Sequence, residues 1–211
     1  MTARPTPPRR LPALLAALAL AACGTGSGAP RTPAPAVRAS AAPASLDPEA
    51  REAAALYARI EDAMLAGYRE GPKLWIPADR VADYRDWPRA HAAPARSGAH
   101  GGRYLLTRVN PRGAAAYRAY AASPSIPPGT VLAMESFSVE AGEPRPGPLY
   151  FMEKVEDGVS PETNDWYYYL VGADGVPIAA DVASACNACH QEQYGDQGNL
   201  AYPPERVRVR R

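Results

Sequence analysis

The chain has 211 residues, of which 46% are hydrophobic, and its 23 basic and 22 acidic residues give a formal charge of +1. This length is ordinary for one domain with its own core, preceded by a short extra segment. No basic stripe is present except in residues 206–211, so composition and charge argue against a nucleic-acid-binding protein.

The chain begins with an export signal. Three arginines lie within the first ten residues, and the apolar run 11–22 is too short for a membrane span but typical of a signal peptide. Residues 20–23 resemble a bacterial lipobox, in which Cys23 receives lipid. We predict a lipoprotein signal over residues 1–22 and an anchored protein of the bacterial cell envelope that faces the periplasm. Gly24, in place of aspartate, favours the outer membrane, and ordinary cleavage near Ala22 is the alternative.

Residues 23–46 predict a disordered linker behind the lipidated cysteine, because they are rich in Pro and Ala and contain no aromatic residue. Removal of the signal leaves 20 of the 23 basic residues against 22 acidic ones, a formal charge of −2. One domain is predicted over residues 47–205, and the basic tail 206–211 is expected to be solvated or to contact lipid headgroups.

The domain opens with a helix signal. Asp47 is a good N-cap, Pro48 suits the first turn, and Leu56, Ile60 and Met64 recur on one helical face. The helix is expected to end before residues 71–72, a Gly-Pro pair. Residues 72–100 are expected to be irregular.

The hydrophobic period then changes to two. It predicts strands at 104–109, 130–139, 149–155, 166–171 and 176–178, with a small helix from Asn110 through Tyr120. Gly/Pro-rich loops separate the later strands, including residues 142–148. Such short connections predict an antiparallel β-meander with packed helices, an α+β fold, followed by a helix over residues 181–190.

That last helix carries the sequence Cys-Asn-Ala-Cys-His at residues 186–190. The C-x-x-C-H pattern is typical of c-type haem attachment, in which both cysteines form thioethers to the porphyrin. The adjacent His190 is then the axial iron ligand. The sequence therefore predicts one covalent haem c on Cys186, Cys189 and His190.

Two other interpretations of this motif are a redox disulfide and a zinc site. A redox C-x-x-C normally lies between a strand and a helix of a βαβ unit, which is not the pattern here. Zinc needs four ligands, and the other histidines, His91 and His100, lie far upstream, where we expect surface or loop positions. Export also favours haem, because c-type haem is attached outside the cytoplasm.

Several elements resemble, in order, the cytochrome P-460 family and its relative cytochrome c′-β. They are His100-Gly101 and residues 126–131, 150–154, 165–168 and 186–190. The resemblance implies an antiparallel sheet with packed helices, a homodimer, and pentacoordinate iron with an open distal face. Hydroxylamine-oxidising members carry a lysine cross-linked to the porphyrin, and the matching position here is Met134, which cannot form that bond.

Met134 therefore has three interpretations: apolar packing, a cap over the distal face of the haem, or a sixth iron ligand. It is expected on the strand face opposite Phe137. Phe137 and Phe151 are further candidates for the distal wall in the manner of cytochrome c′-β, and each suits a core position equally.

These observations lead to one functional hypothesis and two alternatives. The hypothesis is an exported haem protein that binds nitric oxide or a similar small ligand and cycles between redox states with a partner protein. The first alternative is an oxidoreductase acting on hydroxylamine or a related nitrogen compound, with Glu153 as the candidate acid or base. The second is an electron-transfer cytochrome with Met134 as sixth ligand.

Overall fold

The computed structural model describes residues 46–178 and 182–209, which belong to one compact unit. The predicted signal 1–22, the lipidation site Cys23 and all but the last residue of the predicted linker 23–46 lie outside the described residues. Within the described ranges, no helix is long and apolar enough to cross a membrane.

The described chain contains five α-helices and six β-strands. The helices are α1 (Pro48–Ala58), α2 (Glu61–Arg69), α3 (Ala78–Asp83), α4 (Pro111–Tyr117) and α5 (Val182–Tyr194). The strands are β1 (Ala95–Ser97), β2 (Arg103–Val109), β3 (Val131–Glu140), β4 (Glu143–Pro146), β5 (Leu149–Lys154) and β6 (Trp166–Val171).

The first predicted helix is split into α1 and α2. The carboxylate of Asp47 accepts a hydrogen bond from the backbone N–H of Ala50 at 2.8 Å, so it caps α1 as predicted. The chain leaves helical geometry at Ile60, where φ is −126°. No glycine or proline marks this break. It accompanies the packing of both helices against the sheet, which buries Tyr57 of α1 and Tyr68 of α2.

All strand pairs are antiparallel, in the order β1-β2-β3-β5-β6, and β4 also pairs with β3. This confirms the predicted α+β class with an antiparallel sheet. Residues 143–146 were expected in a loop but form β4, because Ala141 and Gly142 both adopt positive φ and make a tight hairpin turn. The predicted strand 176–178 is reduced to a bridge between Val171 and Pro177.

Side-chain alternation along β3 separates two sides of the sheet. Val131, Ala133 and Phe137 belong to the largest core cluster, together with buried residues of α1, α2 and α3. Leu132 belongs to a second cluster on the opposite side, where Tyr117 of α4 also packs. The helices α1–α3 therefore cover one face of the sheet, and the other face is left for α4 and α5.

A buried carboxylate lies between the sheet and the first helices. Glu135 is 1% exposed and accepts hydrogen bonds from the hydroxyls of Tyr57 at 2.5 Å and Tyr84 at 2.6 Å. The guanidinium of Arg85 also donates to it, with Nε at 2.8 Å. Burial, and then the charge of Glu135, raises the pKa of both tyrosines above the ordinary range. The network ties α1 and the segment after α3 to the centre of the sheet.

Residues 206–209 pack against the rest of the domain, although the sequence indicated a solvated tail. Val207 is fully buried, and its carbonyl accepts from the backbone N–H of Ala92 at 2.8 Å. Arg206 bonds to Asp47 at 3.2 Å and Glu49 at 3.0 Å, at the start of α1. The acidic first turn of α1 therefore attracts the basic segment, and valines alternating with arginines place an apolar side inward.

Replacing the buried carboxylate tests its structural role. Glu135→Ala removes the acceptor of two tyrosine hydroxyls and the charged partner of Arg85, and we expect the free energy of unfolding to fall by about 3–5 kcal/mol. Glu140→Ala, on the same strand but exposed, should change it by less than about 0.5 kcal/mol. Urea unfolding measures both values. Equal effects of the two substitutions would contradict the assigned role.

Candidate functional site

A cavity of about 420 Å³ lies on the face of the sheet that α1–α3 leave uncovered. This volume is within the usual range for small-molecule and cofactor sites, roughly 300–1,000 Å³. The sheet forms its floor through residues of β2, β3 and β5: Leu105, Thr107, Leu132, Met134, Tyr150 and Met152. Two further walls come from α5 and from residues 91–100, and residues 201–204 close the cavity together with Tyr117.

Met134 reaches this cavity because of its place in the strand alternation. Its register partners are Thr107 on β2 and Tyr150 on β5, and both also line the cavity. Met134 therefore lies on the face opposite Phe137, as the sequence indicated. Its thioether belongs to an otherwise mainly apolar floor.

The wall formed by α5 carries the C-x-x-C-H motif. Cys186, Cys189 and His190 occupy positions i, i+3 and i+4 of a helix, so they share one face, and all three line the cavity. Both thiols are free. Burial, with Cys189 as the second cause, raises the pKa of the Cys186 thiol.

One hydrogen bond fixes the imidazole of His190. Its Nδ1 lies 2.8 Å from the backbone carbonyl oxygen of Asn199. A carbonyl only accepts hydrogen bonds, so Nδ1 carries the proton and Nε2 keeps its lone pair. Histidines that bind metals are held in this way, with the second ring nitrogen donating to a carbonyl. His190 therefore has the tautomer that an iron ligand requires.

The carbonyl of Asn199 is itself held in place by buried amides. Asn199 has a φ of +62°, and its side chain donates to Asn187 Oδ1 at 2.9 Å. Asn187 donates in turn to the carbonyl of Glu162 at 3.1 Å, and the indole of Trp166 donates to the carbonyl of Gly198 at 3.0 Å. The loop after α5 is thus tied to the motif helix and to β6.

Sequence reasoning did not identify Asn187 or Asn199. Asn187 is one of the two variable positions of the motif, where the pattern itself specifies nothing. The only available signal for Asn199 was the Gly-Asn pair at residues 198–199, a combination typical of positive-φ turns. The partner of His190 is a main-chain carbonyl oxygen, and a contact with the main chain cannot be inferred from the residue type.

All three histidines of the chain line this one cavity. His91 and His100 were expected at the surface or in loops. Both lie outside the α-helices and β-strands, but His91 is not at the surface: it is 3% exposed, and its Nδ1 has no hydrogen-bond partner among the described residues. His100 is partly buried, with Nδ1 3.0 Å from Ser97 Oγ and its ring edge-on to Tyr150. Their segment lacks periodic hydrophobicity, so the sequence indicated nothing about their direction.

Three other residues singled out from the sequence do not bring their side chains to the cavity. Phe137 packs on the other face of the sheet, stacked on Tyr104. Phe151 borders the cavity, but its ring lies in the same opposite core, stacked on Tyr169. Glu153 also points to that face, where it bonds to Arg80 and Tyr169 at 3.0 Å each. In each case the alternation of side chains along the strand determines which face of the sheet the side chain occupies.

The residues of the cavity fit a haem. They supply two thiols, an imidazole with a free Nε2, a mainly apolar lining, and a buried unpaired nitrogen on His91 that a bound group can satisfy. In the described part of the chain, no three or more His, Cys, Asp or Glu side chains are grouped to hold a metal ion by themselves. Two thiols and one imidazole suit a metal ion whose other ligands come from a macrocycle such as porphyrin.

A protein-family model described as cytochrome P-460 matches residues 81–198, which include β1–β6, the motif and most of the cavity lining. No curated protein matches the chain.

The environment of His91 predicts a dependence of stability on pH. Burial lowers the pKa of His91 to about 3, from an ordinary value of 6.5. Between these values the unfolded chain binds a proton that the folded protein does not, so stability falls as the pH decreases below 6.5. The loss should be about 1.4 kcal/mol per pH unit. Urea unfolding of the wild type and of His91→Gln across this pH range measures the loss. Parallel plots of unfolding free energy against pH for the two proteins would contradict the prediction.

Proposed function

The chain belongs to the cytochrome P-460 family of haem proteins, and from this premise we propose that it carries one haem c and binds a small ligand such as nitric oxide. Cys186 and Cys189 would hold the porphyrin by thioethers, and His190 Nε2 would bind the iron. When bound, the haem supplies an iron that takes small ligands and changes oxidation state. The observation that carries this proposal is the hydrogen bond from His190 Nδ1 to Asn199, made beside two free thiols in one cavity.

The residues of the chain contribute orientation and polarity. The carbonyl of Asn199 fixes the plane and tautomer of the His190 ring and increases the basicity of its Nε2. Leu105, Leu132 and Met152 give the floor of the cavity an apolar surface. An apolar floor disfavours ions and bulk water, and it favours small uncharged ligands.

Met134 supports the electron-transfer alternative, because its side chain lines the cavity beside Tyr150. A thioether bound to iron would close the sixth position and raise the reduction potential. We favour Met134 as a cap, since it is one of several apolar groups on this floor. The two roles predict different spectra for the resting protein.

Hydroxylamine oxidation has less support from the cavity. Glu153, the acid or base expected for that reaction, lies on the other face of the sheet and is bonded to Arg80 and Tyr169. Met134 also occupies the position where the resemblance places the cross-linking lysine. The positions of Glu153 and Met134 therefore support ligand binding with redox cycling better than hydroxylamine oxidation.

Export and lipidation at Cys23 complete the proposal. Haem attachment to C-x-x-C-H takes place outside the cytoplasm, which agrees with the signal pattern in residues 1–22. The linker 23–46 would then hold the haem domain away from the membrane surface.

The covalent attachment can be tested with the three cysteines of the chain. In a bacterial host that matures c-type cytochromes, the wild type should be coloured and heavier than the bare polypeptide by one haem and the lipid on Cys23. Cys186→Ala combined with Cys189→Ala should abolish that covalent haem, because no thioether can form. Cys23→Ala is the matched control and should lose only the lipid. Intact mass and absorption spectra give the answer, and a colourless wild-type protein would refute the proposal.

Met134→Leu separates ligand binding from electron transfer. If Met134 only caps the haem, the ferrous wild type should bind CO and nitric oxide, and the leucine variant should bind CO with an affinity within about 3-fold, because leucine conserves volume and apolarity. Titrations followed in the Soret band measure this. A wild-type spectrum that neither gas changes, together with CO uptake only in the variant, would assign Met134 as the sixth ligand.

A further inference from the structure

His100 lies in a short structured turn. Residues 98–100 form one 3-10 turn, and Gly101 and Gly102 follow it with φ of +66° and +73°. The backbone N–H of Gly102 donates to the carbonyl of Ser97 at 2.9 Å. The two glycines permit this tight reversal into β2, because positive φ is costly for other residue types. The turn therefore presents the His100 ring to the cavity from a defined position.

His100 and His190 line the same cavity, although their segments leave the sheet at different edges. α5, which carries His190, packs on β6 at one edge of the sheet. His100 lies between β1 and β2 at the opposite edge. The His100 ring nevertheless reaches over β5, where it contacts Tyr150. The His190 ring contacts Tyr168 on the neighbouring β6, so a group bound in the cavity can contact both rings.

Ser97 is the hydrogen-bond partner of one ring nitrogen of His100. The Ser97 hydroxyl lies 3.0 Å from His100 Nδ1. A neutral imidazole carries a single proton, on either Nδ1 or Nε2. When the hydroxyl donates to Nδ1, that proton is on Nε2, which is then a hydrogen-bond donor.

We propose that His100 donates a hydrogen bond from Nε2 to the ligand bound in the cavity, and that it favours ligands whose outer atom accepts such a bond. This inference rests on the proposed function. It makes His100 a specificity-determining residue within an otherwise mainly apolar pocket. Tyr150, in edge contact with the ring at 5.3 Å between centroids, helps to fix its orientation.

The test uses the haem-loaded protein with CO and nitric oxide as probes. His100→Leu removes the donor, and the infrared C–O stretch of the ferrous CO complex should rise in frequency. The dissociation rate of nitric oxide should increase by about 10-fold, which is the effect of one ordinary hydrogen bond. CO affinity should change much less, because its outer atom is a weaker acceptor.

Two further variants separate hydrogen bonding from packing. His100→Gln keeps an N–H donor and should restore most of the wild-type C–O frequency. Ser97→Ala leaves the tautomer of His100 unfixed and should produce two C–O bands in place of one. Haem content and thermal unfolding, measured in parallel, show that each variant is folded and loaded.

Each other result has a defined meaning. A loaded protein that binds both gases identically with and without His100 would overturn this inference and leave the proposed function intact. A low-spin, six-coordinate wild type that becomes five-coordinate in His100→Leu would also overturn it, because His100 would then be an iron ligand. Absence of haem from the wild type would overturn the proposed function itself.

Discussion

The candidate site depends on the hydrogen bond between His190 Nδ1 and the carbonyl oxygen of Asn199. A histidine has two ring nitrogens and several rotamers, and the arrangement that suits a metal ligand leaves the lone pair on Nε2. The carbonyl selects that arrangement. Asn187 and Trp166 hold the loop that carries the carbonyl, so the geometry of the motif is set by residues outside the two cysteines and the histidine.

The sheet acts as a partition between two chemical environments. On one face, Glu135 and Arg85 form a buried ionic network with two tyrosine hydroxyls. On the other face, Leu132 and Met134 of the same strand line a mainly apolar cavity. Alternation of side chains along β3 is sufficient to separate them. A buried charge and a mainly apolar cavity can thus share one strand.

Features with a local physical cause could be predicted from the sequence. The caps Asp47 and Asn110 bond to the helix N-termini as their residue types indicate. The strands followed from period-two hydrophobicity, and the shared face of Cys186, Cys189 and His190 followed from helical spacing. The family assignment followed from an ordered set of short elements.

Features that depend on tertiary contacts could not be predicted in this way. The break at Ile60 has no breaker residue, and β4 contains two prolines that suggested a loop. The inward direction of His91 and His100 depends on how residues 91–100 fold over β2. Phe137 suited either the core or a haem pocket by residue type, and only the folded sheet places it in the core. The direction of Glu153, a candidate acid or base, likewise depends on the folded sheet.

The order in which the walls of the cavity are synthesised has a consequence for assembly. The floor and the wall containing His91 and His100 are complete once β6 has been made, whereas α5 and residues 201–204 follow later in the chain. Residues 206–209 then bridge back to α1 and to Ala92. A chain stopped after β6 therefore lacks one wall of the cavity, because the later segments carry Cys186, Cys189 and His190 and close the cavity with residues 201–204.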